Sequence, residues 1–88
     1  MKRSSEFLLR QVAGKQVLVP VGDAAVAFPG MVDMNGSGSF LWQLLEQEQT
    51  LDSLVDSITE RYDVSADIAR SDVVEFILKL ASINAVLE

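Results

Sequence analysis

The chain contains no cysteine and no histidine among its 88 residues. Without cysteine there is no disulfide framework, no thiolate nucleophile and no thiolate-bound metal. Without histidine the usual general base at neutral pH is gone, together with the commonest transition-metal ligand. Basic residues are also scarce, at 7 against 13 acidic ones, for a net charge of −6. The imbalance is local: residues 1–45 hold four Lys/Arg and three Asp/Glu, whereas residues 46–88 hold three and ten. An acidic second half repels phosphate backbones, so no nucleic-acid partner is expected. No apolar run approaches the roughly 18–20 residues of a membrane span. Lys2 and Arg3 are not followed by an uninterrupted apolar segment, because Glu6 and Arg10 break it, so no signal peptide is expected. Gly14, Gly22 and Gly30 are spaced too widely for a phosphate loop. The expectation is a soluble cytoplasmic protein with no membrane partner.

What is present is enough apolar sequence, 49% of the residues, for one core. Residues 1–88 read as one domain without repeats, linkers or low-complexity stretches. The first third reads as strands. Phe7–Val12 and Gln16–Val21 flank the Ala13-Gly14-Lys15 turn, and Val enrichment suits a pleated surface. Pro20 has no N–H to give, so that end of its strand lies at an edge or leaves the sheet. The Ala24–Phe28 run has no clear period. Pro29-Gly30 marks a turn before a short third strand at Met31–Met34. The remainder reads as helices. Asn35 or Ser37 can cap the first, Thr50 the second and Ser65 the third, with Asn84 as a left-handed stop. Leu51, Leu54, Val55, Ile58 and Tyr62 form the core stripe of the second helix. The order β-β-β-α-α-α gives an α+β fold.

The third helix is more apolar than a surface helix requires. At about 100° per residue, Ala69, Val73, Phe76, Leu80 and Ile83 share a core-facing arc. Asp72, Glu75, Lys79 and Ser82 share a polar one. Arg70, Val74, Leu78, Ala81 and Ala85 lie between them on one side, with Ile77 bridging to the core. The apolar arc spans roughly 200°, about twice the minimum stripe. Either the sheet and the terminal Val86-Leu87 cover Val74 and Leu78, or these residues line a partner-binding groove. The third strand, short and next to a Pro-Gly turn, offers an edge to which another strand can add. An edge strand beside an over-apolar helix makes a β-augmentation site.

Three motifs stand in order along the chain: Phe7 to Gly22, Met34 to Trp42, and Tyr62-Asp63-Val64-Ser65 with Asp72 to Leu80. Together with the element order they resemble the PqqD family of small precursor-peptide recognition proteins. The most specific part is Met34-Asn35-Gly36-Ser37-Gly38-Ser39-Phe40-Leu41-Trp42, similar to the family's L-N-x-T/S-G/A-x-x-[IL]-W element, with Met in place of Leu. Phe7 to Gly22 resembles the opening hairpin of the family. Tyr62-Asp63-Val64-Ser65 with Asp72 to Leu80 resembles its Y-D-V and D-V-x-x-F-L-x-x-L stretches. The resemblance implies a winged-helix-like fold of three antiparallel strands followed by three helices. It implies a non-catalytic role: binding a precursor's leader segment as a strand added to the third strand, and delivering it to a maturation enzyme, commonly a radical SAM protein. The product would be pyrroloquinoline quinone or another modified peptide. The peptide-binding residues then expected are Met31, Val32, Asp33 and Met34, with Arg70, Val74, Ile77, Leu78 and Ala81.

Trp42 reads as core packing and Asn35 as a helix cap. Arg70 is the sole cation on the expected groove flank, although Asp67 at i−3 offers it a local partner. Asp52 and Asp56 share a helical face but lack a third ligand or a base, so they read as a solvated face. No catalytic constellation, metal site or cofactor site is expected. The alternative reading is a homodimerising winged-helix-like interaction or regulatory module that buries the same apolar groove against its own copy.

Overall fold

The computed structural model describes residues 1–28 and 30–87, so the Pro29 half of the Pro29-Gly30 turn lies outside the described residues. Strands β2 (Phe7–Val12) and β3 (Lys15–Pro20) form a hairpin in which Val12 pairs with Lys15. The intervening loop is only Ala13 and Gly14, at φ 53° and 80°. Positive φ at both central positions is what a two-residue hairpin needs to match the strand twist. Gly14 adopts it freely, whereas Ala13 carries a Cβ into the left-handed region. β4 (Val32–Met34) then pairs antiparallel with Gln16–Leu18, giving the sheet order β2-β3-β4. Pro20 lies past the reach of β4 and pairs only with Phe7, where its missing N–H costs no bond to β4.

Three helices complete the core: α2 (Gly36–Leu44), α3 (Leu51–Arg61) and α4 (Ala66–Ser82). Each starts on a side-chain cap that satisfies an otherwise orphaned N–H. The Gly38 N–H donates to Asn35 Oδ1 at 2.7 Å. At α3 the Ser53 N–H donates to Thr50 Oγ1 while the Thr50 N–H donates to Ser53 Oγ, a reciprocal box. The Ile68 N–H donates to Ser65 Oγ at α4. That helix ends where Asn84 turns left-handed at φ 59° and the Ala85 N–H returns to the Leu80 carbonyl at 2.9 Å, a Schellman-type closure.

The alternation of the strands sends Phe7, Leu18 and Val32 to one face of the sheet, where they join Leu41 and Trp42 of α2 and Leu45, which caps its end, in one buried cluster. Leu54, Val55 and Ile58 of α3 and Ala69, Val73 and Leu80 of α4 complete that cluster. Trp42 is therefore core, as the sequence suggests. No helix among the described residues is long and apolar enough to cross a membrane.

The three-strand sheet and the three helices stand as expected, but the chain order is richer than β-β-β-α-α-α. A five-residue helix, α1 (Asp23–Ala27), intervenes between β3 and β4. It forms from the run without a clear period, where Ala24 and Phe28, at i and i+4, half-bury one side and Val26 stays exposed. β1 (Lys2–Arg3) and β5 (Val86–Leu87) pair antiparallel as a separate two-stranded ladder. Strands of two residues leave no periodicity to read. Arg3 fastens this ladder to the end of α2. Its backbone N–H donates to the Leu45 carbonyl at 2.9 Å, and its guanidinium donates to the Trp42 carbonyl at 3.1 Å. The same guanidinium lies 5.5 Å from the Trp42 ring centre, within cation–π range.

Ala13→Asn is expected to stabilise the fold by about 1 kcal/mol, since Asn tolerates the left-handed region and Asn-Gly suits this turn. A urea midpoint that rises at constant slope checks it. Among the described residues, Ser39 Oγ is buried with no hydrogen-bond partner, so Ser39→Ala is expected to stabilise by up to about 1 kcal/mol in the same assay.

Candidate functional site

β4 is an edge strand. Among the described residues it is bonded to β3 on one side only, so its other side presents N–H and C=O groups open to a further strand. Val32 is buried opposite Leu18, Met34 is half-buried and Asp33 is exposed. Met31 precedes the ladder and is 59% exposed, so the expected four-residue strand is one residue shorter.

α4 runs beside this edge and meets it at Phe76, Lys79 and Leu80, around a cavity of about 80 Å³. A larger hollow of about 310 Å³ continues from it between the first turn of α2 and α4, with Leu41, Ile58 and Val73 in its wall and Asp72 and Glu75 also lining it. The two hollows share Asn35, Gly38, Phe76 and Lys79 and together form one cleft. Gly38 makes the cleft possible. A Cβ at this position would stand 3.2 Å from Phe76 Cε1 and 3.1 Å from Asn35 Oδ1. Gly38 is buried and is a packing glycine, whereas nothing lies within 4 Å of a Cβ built at Gly36. Asp33 and Met34, which also line the smaller cavity, border a shallow depression of about 650 Å³ together with Lys15 and Gln16.

The structure does not bring the other expected residues to β4. Val74, Ile77, Leu78 and Ala81 line a separate depression of about 670 Å³ with Leu51 and Val86. The reason is helical phase: Phe76 and Val74 are two residues apart and so about 200° apart round the axis. Periodicity shows which residues of α4 share an arc, but not which neighbour each arc meets. The β1–β5 end of the molecule takes the Val74 side through Val86 and leaves Leu78 65% and Leu87 52% exposed. Arg70 is bonded through Nη2 to Asp52 Oδ1 of α3 at 2.6 Å, not to Asp67. Both partners are well exposed, so the pair contributes little to stability. It does occupy the cation that was expected on the groove.

Phe76 and Lys79 line the candidate cleft without being among the expected residues, since Phe76 reads as core and Lys79 as solvated face. The signal available was the glycine at the third helical position of α2. A buried helix glycine marks a place where another element comes close.

Among known protein families, the one described as Coenzyme PQQ synthesis protein D (PqqD) matches residues 15–86. No curated protein matches the chain. A solved structure of TbiB1 in complex with the TbiA(beta) leader peptide is similar in fold, with a TM-score of 0.75 and 24% identity over 97% of this chain and 93% of that one.

Gly38→Val is expected to lower stability by about 2 kcal/mol, because the added carbons overlap Phe76. Gly36→Ala, in open space, is expected to raise it by roughly 0.5–1 kcal/mol through helix propensity. Urea unfolding of both variants checks the contrast.

Proposed function

The chain belongs to the PqqD family, and we propose that it is a non-catalytic adaptor that captures the leader segment of a ribosomally made precursor peptide. The leader adds to the free edge of β4 as a fourth strand, beside the cleft toward α4, and is presented there to a modifying enzyme. The observation that carries this reading is the juxtaposition of an unpaired strand edge with a hollow lined by Phe76, Lys79 and Leu80. Main-chain bonds supply affinity in this mode and side-chain pockets supply selectivity. The likeness to TbiB1, whose solved structure holds a leader peptide, supports it.

In this reading residues 1–88 act as one winged-helix-like unit in the cytoplasm. Met31, Val32, Asp33 and Met34 provide the strand edge. Arg70, Val74, Ile77, Leu78 and Ala81, on the far side of α4, stay clear of the leader. The modifying enzyme is a radical SAM protein in the pathway to pyrroloquinoline quinone or to a related modified peptide. The affinity expected of such a contact is on the order of micromolar or tighter, about −8 kcal/mol or better.

A second reading, self-association as an interaction or regulatory module, is favoured by the exposure of Leu78 and Leu87 on that far side. Sedimentation velocity over a wide concentration range tests it: a monomer throughout sinks it. The two readings are compatible because they use different faces of α4.

The adaptor reading is tested with the leader of the precursor encoded beside this gene. An amide-resolved NMR titration is expected to shift Val32–Met34 together with Phe76, Lys79 and Leu80 saturably. Shifts confined to the Val74–Leu78 side, or none at all, overturn it. By calorimetry Phe76→Ala is expected to weaken leader binding about tenfold or more, whereas Leu78→Asp is expected to leave it unchanged.

A further inference from the structure

We propose that the edge of β4 selects a strand in which a basic residue stands between two apolar ones, and that Asp33 is the residue that makes this selection. The inference rests on the strand-addition reading above and names the ligand chemistry of that site.

The argument starts from the period of two along a strand. Val32 and Met34 point to one face of the sheet and Asp33 to the other. The Val32 face is apolar. Val32 is buried opposite Leu18, and Met34 shares its hollow with Phe76 and Leu80. Side chains of an incoming strand that lie beside Val32 and Met34 are therefore drawn toward Phe76 and Leu80 and lose apolar surface there. The residue between them falls on the opposite face, alongside Asp33.

Asp33 is exposed, and among the described residues its carboxylate has neither an ion pair nor a hydrogen bond. Its neighbour across the existing ladder is Val17, which offers it nothing polar. Among the described residues, Asp33 lines one depression with Lys15 and the small cavity with Lys79, and neither ammonium forms an ion pair with it. A Lys or Arg on an added strand would be the direct cross-strand partner of Asp33, the arrangement that stabilises a strand pair, whereas an acidic residue there is repelled. The helix side has the same bias: Asp72 and Glu75 line the cleft against the single charge of Lys79.

The same charge serves a second purpose. An open strand edge invites any extended chain, and a charge on it discourages unselected pairing. Asp33 thus rejects apolar or acidic strands while accepting a basic one, which is specificity obtained partly by repulsion.

The test is to pan a displayed library of random twelve-residue peptides against the intact chain, then against Asp33→Asn and Asp33→Lys. The wild-type chain is expected to enrich Lys or Arg between two apolar residues. Asp33→Asn is expected to lose that preference while still binding peptides, and Asp33→Lys is expected to enrich Asp or Glu at the same place. Affinity of a selected wild-type binder is expected to fall several-fold as salt rises from about 50 to about 500 mM. Binders that shift the amides of Val32–Met34 but show no charge preference overturn the selection by Asp33 and leave strand addition standing. Binders that leave those amides unmoved, or no binders at all, overturn strand addition and this inference with it.

Discussion

The carboxamide of Asn35 holds the junction from which the cleft is built. By accepting the Gly38 N–H at 2.7 Å it starts α2 one residue after β4 ends. A strand cannot continue through a residue that caps a helix, so β4 stays three residues long. The immediate turn into α2 also carries Gly38 against the Phe76 ring, so the first turn of α2 and the middle of α4 share one wall. One short-range hydrogen bond thereby fixes the length of the strand, the place of the helix and the position of the hollow between them.

Much of this arrangement is legible in the sequence because it is made by local chemistry. Asn35, Thr50 and Ser65 announce the three helices, as short polar side chains do when they precede an apolar-periodic run. Asn84 announces the end of the last one, and Gly14 announces the hairpin. The stripe from Leu51 to Ile58 reads as core, and its central residues are core. The elements that stayed hidden are those whose pattern is too short to carry a period. β1 and β5 have two residues each and exist because they pair with one another, while α1 is a single turn or so within an alanine-rich run. Tertiary context decided these, and no local signal encodes it.

The candidate site was half legible for a different reason. That β4 is a short strand near an edge follows from its composition and flanking turn, and β4 is an edge strand. Which arc of α4 faces it does not follow, because a helix apolar on two sides can be turned either way without violating its own periodicity. The choice is made by the partners: the sheet takes the Phe76–Leu80 side, and the terminal ladder with the start of α3 takes the Val74 side. α4 consequently separates two surfaces of unlike character. One combines charge with a main-chain edge, and the other is largely aliphatic. A helix with this division can hold a ligand on one side while its other side remains available.

The β1–β5 ladder has a consequence for how such a fold can be built into other polypeptides. Lys2 lies directly across from Leu87 and Arg3 from Val86, so the chain enters and leaves the fold at neighbouring points, about 5 Å apart between backbones. Joining these ends with a short turn, and opening the chain elsewhere, would demand little rearrangement of the core. By the same geometry the fold can be spliced into a surface loop of a host protein, since the host's loop need open by scarcely more than the spacing of two strands. The ladder thus makes the fold portable, and Arg3, which ties that ladder to Trp42 and Leu45, is what would hold the splice point still.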